Sequence, residues 1–168
     1  MTYNKGEYVQ YALNGVCVIE DIKSIDLNRS KSPKDFYVLK PISGNTSKIY
    51  VPVENEQLVS KMRPLLTKEE ADSLIDSLKL DKFEWIEDRK IRNTTFSDII
   101  KESNPKKLLK LVGCIYIQKQ KFIAEGKKLS GTDEKQLTQA EALIENELSL
   151  VLNLAPKGLE PYIKSRLK

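Results

Sequence analysis

The chain has 168 residues, 40% of them apolar and 31% charged, with 28 Lys or Arg against 24 Asp or Glu and no histidine. Such a composition suits one ordinary globular domain or two small ones, speaks against a disordered chain, and contains no apolar run near the roughly 18 residues of a membrane span. Without histidine the commonest general base and zinc ligand are missing, and no Gly-rich phosphate loop or paired CxxC appears. The chain therefore reads as non-enzymatic, with no cofactor, metal or small-molecule substrate expected.

The start, "MTYNKGEYVQY", has neither the basic flank nor the apolar stretch of a signal peptide, so the expected location is the cytoplasm. Cys17 and Cys114 lie far apart in apolar surroundings and read as buried free thiols.

Residues 1 to about 60 read as strands. "EYVQYALNGVCVIEDIKSID" alternates or runs apolar and is broken by Asn14-Gly15, a strong turn signal. "NRSKSPKD" (28–35) reads as a loop, then come "KDFYVLKPI", a turn at "SGNTS" and the strand "KIYVPV". Pro52 has no N–H for a ladder, which puts that last strand at an edge. Short strands joined by tight turns predict a small antiparallel barrel or bent sheet.

After "KMRP" the period becomes helical. Thr67 and Glu70 form a capping box ahead of the stripe Ala71, Leu74, Ile75 and Leu78. A short helix is expected around Trp85, then one from near Thr95 with Phe96, Ile99 and Ile100 inward. Asn104-Pro105 starts a long helix whose stripe is Leu108, Leu111, Val112, Ile115, Phe122 and Ile123, ending at Gly126. Another helix carries Leu137, Ala140, Ile144, Leu148, Val151 and Leu152. Pro156 interrupts it before a last helix with Tyr162, Ile163 and Leu167. The expected fold is α+β in two domains: 1–62, an antiparallel β barrel, and 63–168, an all-α bundle.

The chain's single tryptophan lies in "KFEWIEDRKIRN" (82–93), among charges. From 79 to 128 there are thirteen Lys or Arg against seven Asp or Glu, whereas 129–155 holds one Lys against five acids. The basic excess thus begins near Trp85 and runs along the long helix. A solvated helix face explains such a run; so does a nucleic-acid surface.

Ordered blocks carry a family resemblance. "YNKGEYVQYALNGVCVIEDI", "FYVLKP", "YVPVEN", "KMRPLLTKEEADSLI", "EWIEDRKIR" and "AEALIENELSLVL" resemble, in order and spacing, the CarD/CdnL family of bacterial transcription regulators. The N-terminal half alone also resembles the polymerase-binding module of transcription-repair coupling factors. The resemblance implies a Tudor/SH3-like β domain that pairs strand edges with the RNA polymerase β subunit. It also implies a helical domain that meets promoter DNA at the upstream edge of the bubble. There a tryptophan wedges the minor groove and stabilises the open promoter complex with little sequence specificity.

Trp85 falls on the family tryptophan, and Arg89, Lys90 and Arg92 on the basic residues after it, implying DNA contacts. Ile25, Lys48, Ile49, Tyr50 and Val51 fall where polymerase is met. Two departures stand out: Glu87 and Asp88 are acidic where many members are neutral or basic, and Ile25 and Tyr50 replace arginines. The expected partners are polymerase and promoter DNA, with no membrane, and the expected place is the nucleoid through polymerase.

Two other readings compete. A Tudor-like peptide reader would need an aromatic cage drawn from Tyr3, Tyr8, Tyr11, Phe36, Tyr37 and Tyr50. A hydrolase would need Asp72, Asp76, Glu141 and Glu145 to converge, although their spacings suit ordinary helix surface.

Overall fold

A computed structural model describes residues 2–43, 47–80 and 83–167. The chain divides into two compact units, Met1–Leu65 and Leu66–Lys168, each with its own apolar core.

The first unit is an antiparallel sheet: β1 (Tyr8–Tyr11), β2 (Val16–Ile25), β3 (Lys34–Pro41), β4 (Ile49–Pro52) and β5 (Met62–Pro64), in the order β4-β3-β2-β1-β5. Asn14-Gly15 marks the β1–β2 hairpin as its sequence requires: Gly15 takes φ 73° and its carbonyl accepts the Tyr11 N–H at 2.9 Å. The expected barrel is corrected, because β4 and β5 end the order without pairing and the sheet stays open. A register shift between Ile19 and Asp21 bends β2, so both sheet faces bury residues. Val9, Cys17, Ile19, Tyr37, Leu39 and Val51 form the core on one face, with Tyr3 and Met62 closing it.

The loop expected at 28–35 lies two residues earlier, at 26–33. β2 and β3 stay paired out to Ile25 and Lys34, and the Asp26 carboxylate turns the connection by accepting N–H bonds from Ser30 and Lys31. Gly44, Asn45 and Thr46 of the expected "SGNTS" turn lie outside the described residues. Two further elements follow β4: the short helix α1 (Glu56–Val59) and β5, which the sequence reading passed over.

The second unit is helical: α2 (Lys68–Ser77), α3 (Arg89–Glu102), α4 (Pro105–Ala124), α5 (Gly131–Val151) and α6 (Leu159–Leu167). Its boundaries follow local chemistry. The Thr67–Glu70 capping box is reciprocal, Asn104 caps α4 with Pro105 at its first position, and Ser130 caps α5 by accepting the Asp133 N–H at 3.1 Å. Past α4, Gly126 takes φ 74°.

Phe96, Leu108, Leu109, Leu111, Ile115, Ile144 and Leu148 fill the core, each contributing roughly 1.5–3 kcal/mol on burial. Ile123, expected on the inner stripe, is 55% exposed, because the stripe has drifted off the core by the last turn of α4. The side chain of Leu167 lies outside the described residues.

Candidate functional site

The short helix expected around Trp85 does not form. Residues 83–87 run without regular structure, and the following helix begins at Arg89, six residues before the expected start, because Asp88 caps it. The Asp88 carboxylate accepts the Ile91 N–H at 2.9 Å, so this charge sits at the positive end of α3.

Trp85 is half-buried against the helical core. Its ring meets Phe96 with centroids 5.9 Å apart at 65°, and Phe122 at 6.1 Å and 88°, both edge-on. The Arg92 guanidinium carbon lies 4.5 Å from the indole centre, within cation–π range. The indole is thus packed on several sides and open on the rest, rather than freely displayed.

The three cations after Trp85 are not equivalent. Arg89 and Lys90 are exposed on the first turn of α3. Arg92 is 7% exposed. Its Nε–H and one Nη2–H donate to the two carboxylate oxygens of Asp133, both at 3.1 Å, and Nη1 donates to the carbonyls of Ile86 at 3.0 Å and Glu87 at 3.2 Å. The expected phosphate contact from Arg92 meets a guanidinium already committed inward.

The reading of the sequence missed Phe122, Asp133 and Ser130 as neighbours of this site. A signal existed: Ser130-x-x-Asp133 fits the helix-start pattern, and Arg92 stands four residues before Phe96 and seven before Ile99, on the buried face.

In the first unit, Lys48, Ile49, Tyr50 and Val51 gather on or beside β4, the terminal strand. Val53 N–H donates to Asp35 O at 2.9 Å. Stepping by two along an antiparallel pair, Val51 and Ile49 turn their backbone groups to β3 and Tyr50 turns its own outward. The Tyr50 side chain is 47% exposed while Val51 is fully buried, and Lys48 pairs with Glu20 at 3.4 Å. Ile25 is half-buried at the far end of β2, opposite Lys34 and not on the β4 edge.

The competing residue sets do not assemble. Of the six aromatics that a cage would need, Tyr3, Tyr11, Phe36 and Tyr37 are buried in the sheet unit, leaving Tyr8 and Tyr50 exposed. Asp76 is held by a two-pronged bond from Arg166, which keeps its carboxyl below the ordinary range. Asp72 accepts the Tyr162 hydroxyl at 2.6 Å, and Glu141 accepts that of Tyr116. Among the described residues no group of three potential metal ligands is present, and no helix is long and apolar enough to cross a membrane.

Comparison with known proteins adds one match. Residues 3–65 fit the model of the CarD-like/TRCF RID domain, almost coextensive with the first compact unit, whereas Trp85 and its neighbours lie beyond it. No curated protein matches the chain. Residues 3–65 are thus similar to the CarD-like/TRCF RID domain, a non-catalytic module type that interacts with RNA polymerase.

Proposed function

We propose that this chain is a non-enzymatic regulator of bacterial transcription that binds the polymerase β subunit through its first unit and holds the promoter open complex by wedging Trp85 at the upstream edge of the bubble. The observation that carries the reading is the position of the only indole. It stands half-open in an irregular segment, with exposed Arg89 and Lys90 four and five residues on, at the start of α3, on a unit separate from the polymerase-interacting domain. A flat apolar ring can fill the gap left by an unstacked base step, and base–aromatic stacking contributes roughly 1–3 kcal/mol. Arg and Lys beside it hold phosphates without reading sequence.

Magnitudes favour a tethered arrangement. Two phosphate-facing cations give a salt slope of only about −2, the mark of weak binding on its own. Attachment to polymerase would raise the local concentration to about millimolar, where weak contacts suffice. On the polymerase side, the outward backbone of Tyr50 on the terminal strand is suited to pairing with a strand of the partner.

The test is co-purification with bacterial RNA polymerase, followed by open-complex lifetime after competitor challenge, with and without the chain. The reading requires both binding and a longer lifetime. Polymerase binding with no change in lifetime for any promoter would remove the wedge, and no binding would remove the whole proposal.

A further inference from the structure

The irregular segment 83–87 has no helix or ladder hydrogen bonds of its own to fix the direction in which Trp85 points. Something else must fix it. The Arg92 guanidinium lies 4.5 Å from the indole centre, and the same group donates to the carbonyls of the next two residues, Ile86 and Glu87. One side chain therefore holds both the ring of Trp85 and the backbone that follows it.

Arg92 is itself held from 41 residues away by the two-pronged bond to Asp133, which is 1% exposed. Asp133 is in turn fixed on the first turn of α5: its N–H donates to Ser130 Oγ, the Ser130 hydroxyl donates back to Oδ2 at 2.8 Å, and the helix start favours its negative charge. Gln136, one turn further on, donates to the Asn93 carbonyl at 3.1 Å and ties α5 to α3 beside the pair.

We propose that Arg92 and Asp133 form a clamp that presents Trp85 to DNA in a single orientation, so that Arg92 is a positioning residue and contributes no phosphate contact. This rests on the wedge reading of Trp85. The physical argument is one of charge and geometry. The Arg92 charge is matched by a carboxylate at 3.1 Å, so the pair is close to neutral toward an approaching phosphate. Four of the five guanidinium N–H groups are already donated within the unit. A wedge gains only the stacking that its bound orientation allows, so an indole free to sample several rotamers would lose part of it before binding.

The experiment exploits the single tryptophan, whose fluorescence reports this one site. Arg92→Lys keeps the charge and loses the fork. Asp133→Asn keeps the shape and one acceptor, and serves if the lysine variant fails to fold by thermal melt. Each is measured as the full chain for Trp85 emission and acrylamide quenching, for open-complex lifetime on polymerase, and for the salt dependence of that lifetime, beside Arg89→Ala and Trp85→Ala.

The clamp requires a red-shifted, more quenchable indole. It also requires a lifetime shortened by several-fold, up to about tenfold if most of the stacking is lost, and a salt slope that does not fall below the parent's. Arg89→Ala should instead lower the slope by about one with normal fluorescence. Unchanged fluorescence and lifetime in a folded variant would overturn the clamp. So would a slope lowered by about one in Arg92→Gln, which would return Arg92 to the phosphates. If Trp85→Ala leaves the lifetime intact, the wedge reading fails, while the fluorescence of the clamp variants still decides whether the clamp exists.

Discussion

The Asp88 carboxylate accepts the Ile91 N–H at 2.9 Å, so an acid that reads as a liability beside a DNA surface is the residue that starts α3. Its two roles can be separated. Asp88→Asn keeps a good cap and removes the charge, and should cost the fold no more than a few tenths of a kcal/mol while strengthening promoter contact. Asp88→Ala should cost about 1 kcal/mol. Chemical denaturation of the free variants and open-complex lifetimes check both, and a lifetime unchanged by Asp88→Asn would show that this acid does not oppose DNA.

Trp85→Ala should destabilise the free protein by roughly 2–3 kcal/mol, less than a fully buried indole and more than a free one. Two edge-on aromatic contacts and one guanidinium are lost together with part of the buried area. Trp85→Phe should recover part of both stability and lifetime. A melt unchanged by Trp85→Ala would contradict the packing seen around the ring.

Tyr50→Glu should weaken polymerase binding by about tenfold or more while leaving the sheet folded, since Tyr50 is 47% exposed on the terminal strand. Val51→Glu is the contrasting variant: Val51 is fully buried opposite Tyr37, and a charge there should unfold the unit. Pull-down with polymerase and a melt distinguish the two. Normal binding by folded Tyr50→Glu would move the interface off β4.

Replacing Arg89 or Lys90 with Ala should each lower the salt slope of the promoter complex by about one, and to a similar degree on unrelated promoters. Both side chains are exposed, so the melts should stay within about 0.5 kcal/mol of the parent. A loss confined to one base pair of one promoter would point to base readout instead.

The thiols make a prediction about pH. Burial pushes both Cys17 and Cys114 up from 9.0 to about 11. The folded state thus retains protons that the unfolded chain releases, so stability is complete below about pH 9 and is lost as the pH rises through about 11. Tyr3, Tyr11 and Tyr116, also raised by burial, act in the same direction at higher pH. The denaturation midpoint should fall between pH 8 and pH 10.5, and a thiol reagent at pH 8 should label neither cysteine until the chain unfolds. Rapid labelling of the native protein would show that the thiols are not sequestered.

Much of the architecture is written in short-range chemistry. Period-two and period-3.6 patterning separate a strand unit from a helical one, and Asn14-Gly15, Thr67–Glu70 and Asn104-Pro105 fix their boundaries because turns and caps are satisfied by residues within a few positions. Pro52 places β4 at the edge by removing a donor. What depended on distant partners was not legible. Whether the sheet closes depends on how far β2 bends, and three residues at 62–64 are too few to show a period of their own. The surroundings of Trp85 are the clearest case. In sequence, Arg89, Lys90 and Arg92 form one basic cluster, but α5 brings Asp133 to Arg92 alone and turns its charge inward, while Phe96 and Phe122 from two helices close on the indole. A carboxylate 41 residues away cannot be paired with its arginine by local spacing; only the packing of α5 against α3 decides which cation remains at the surface.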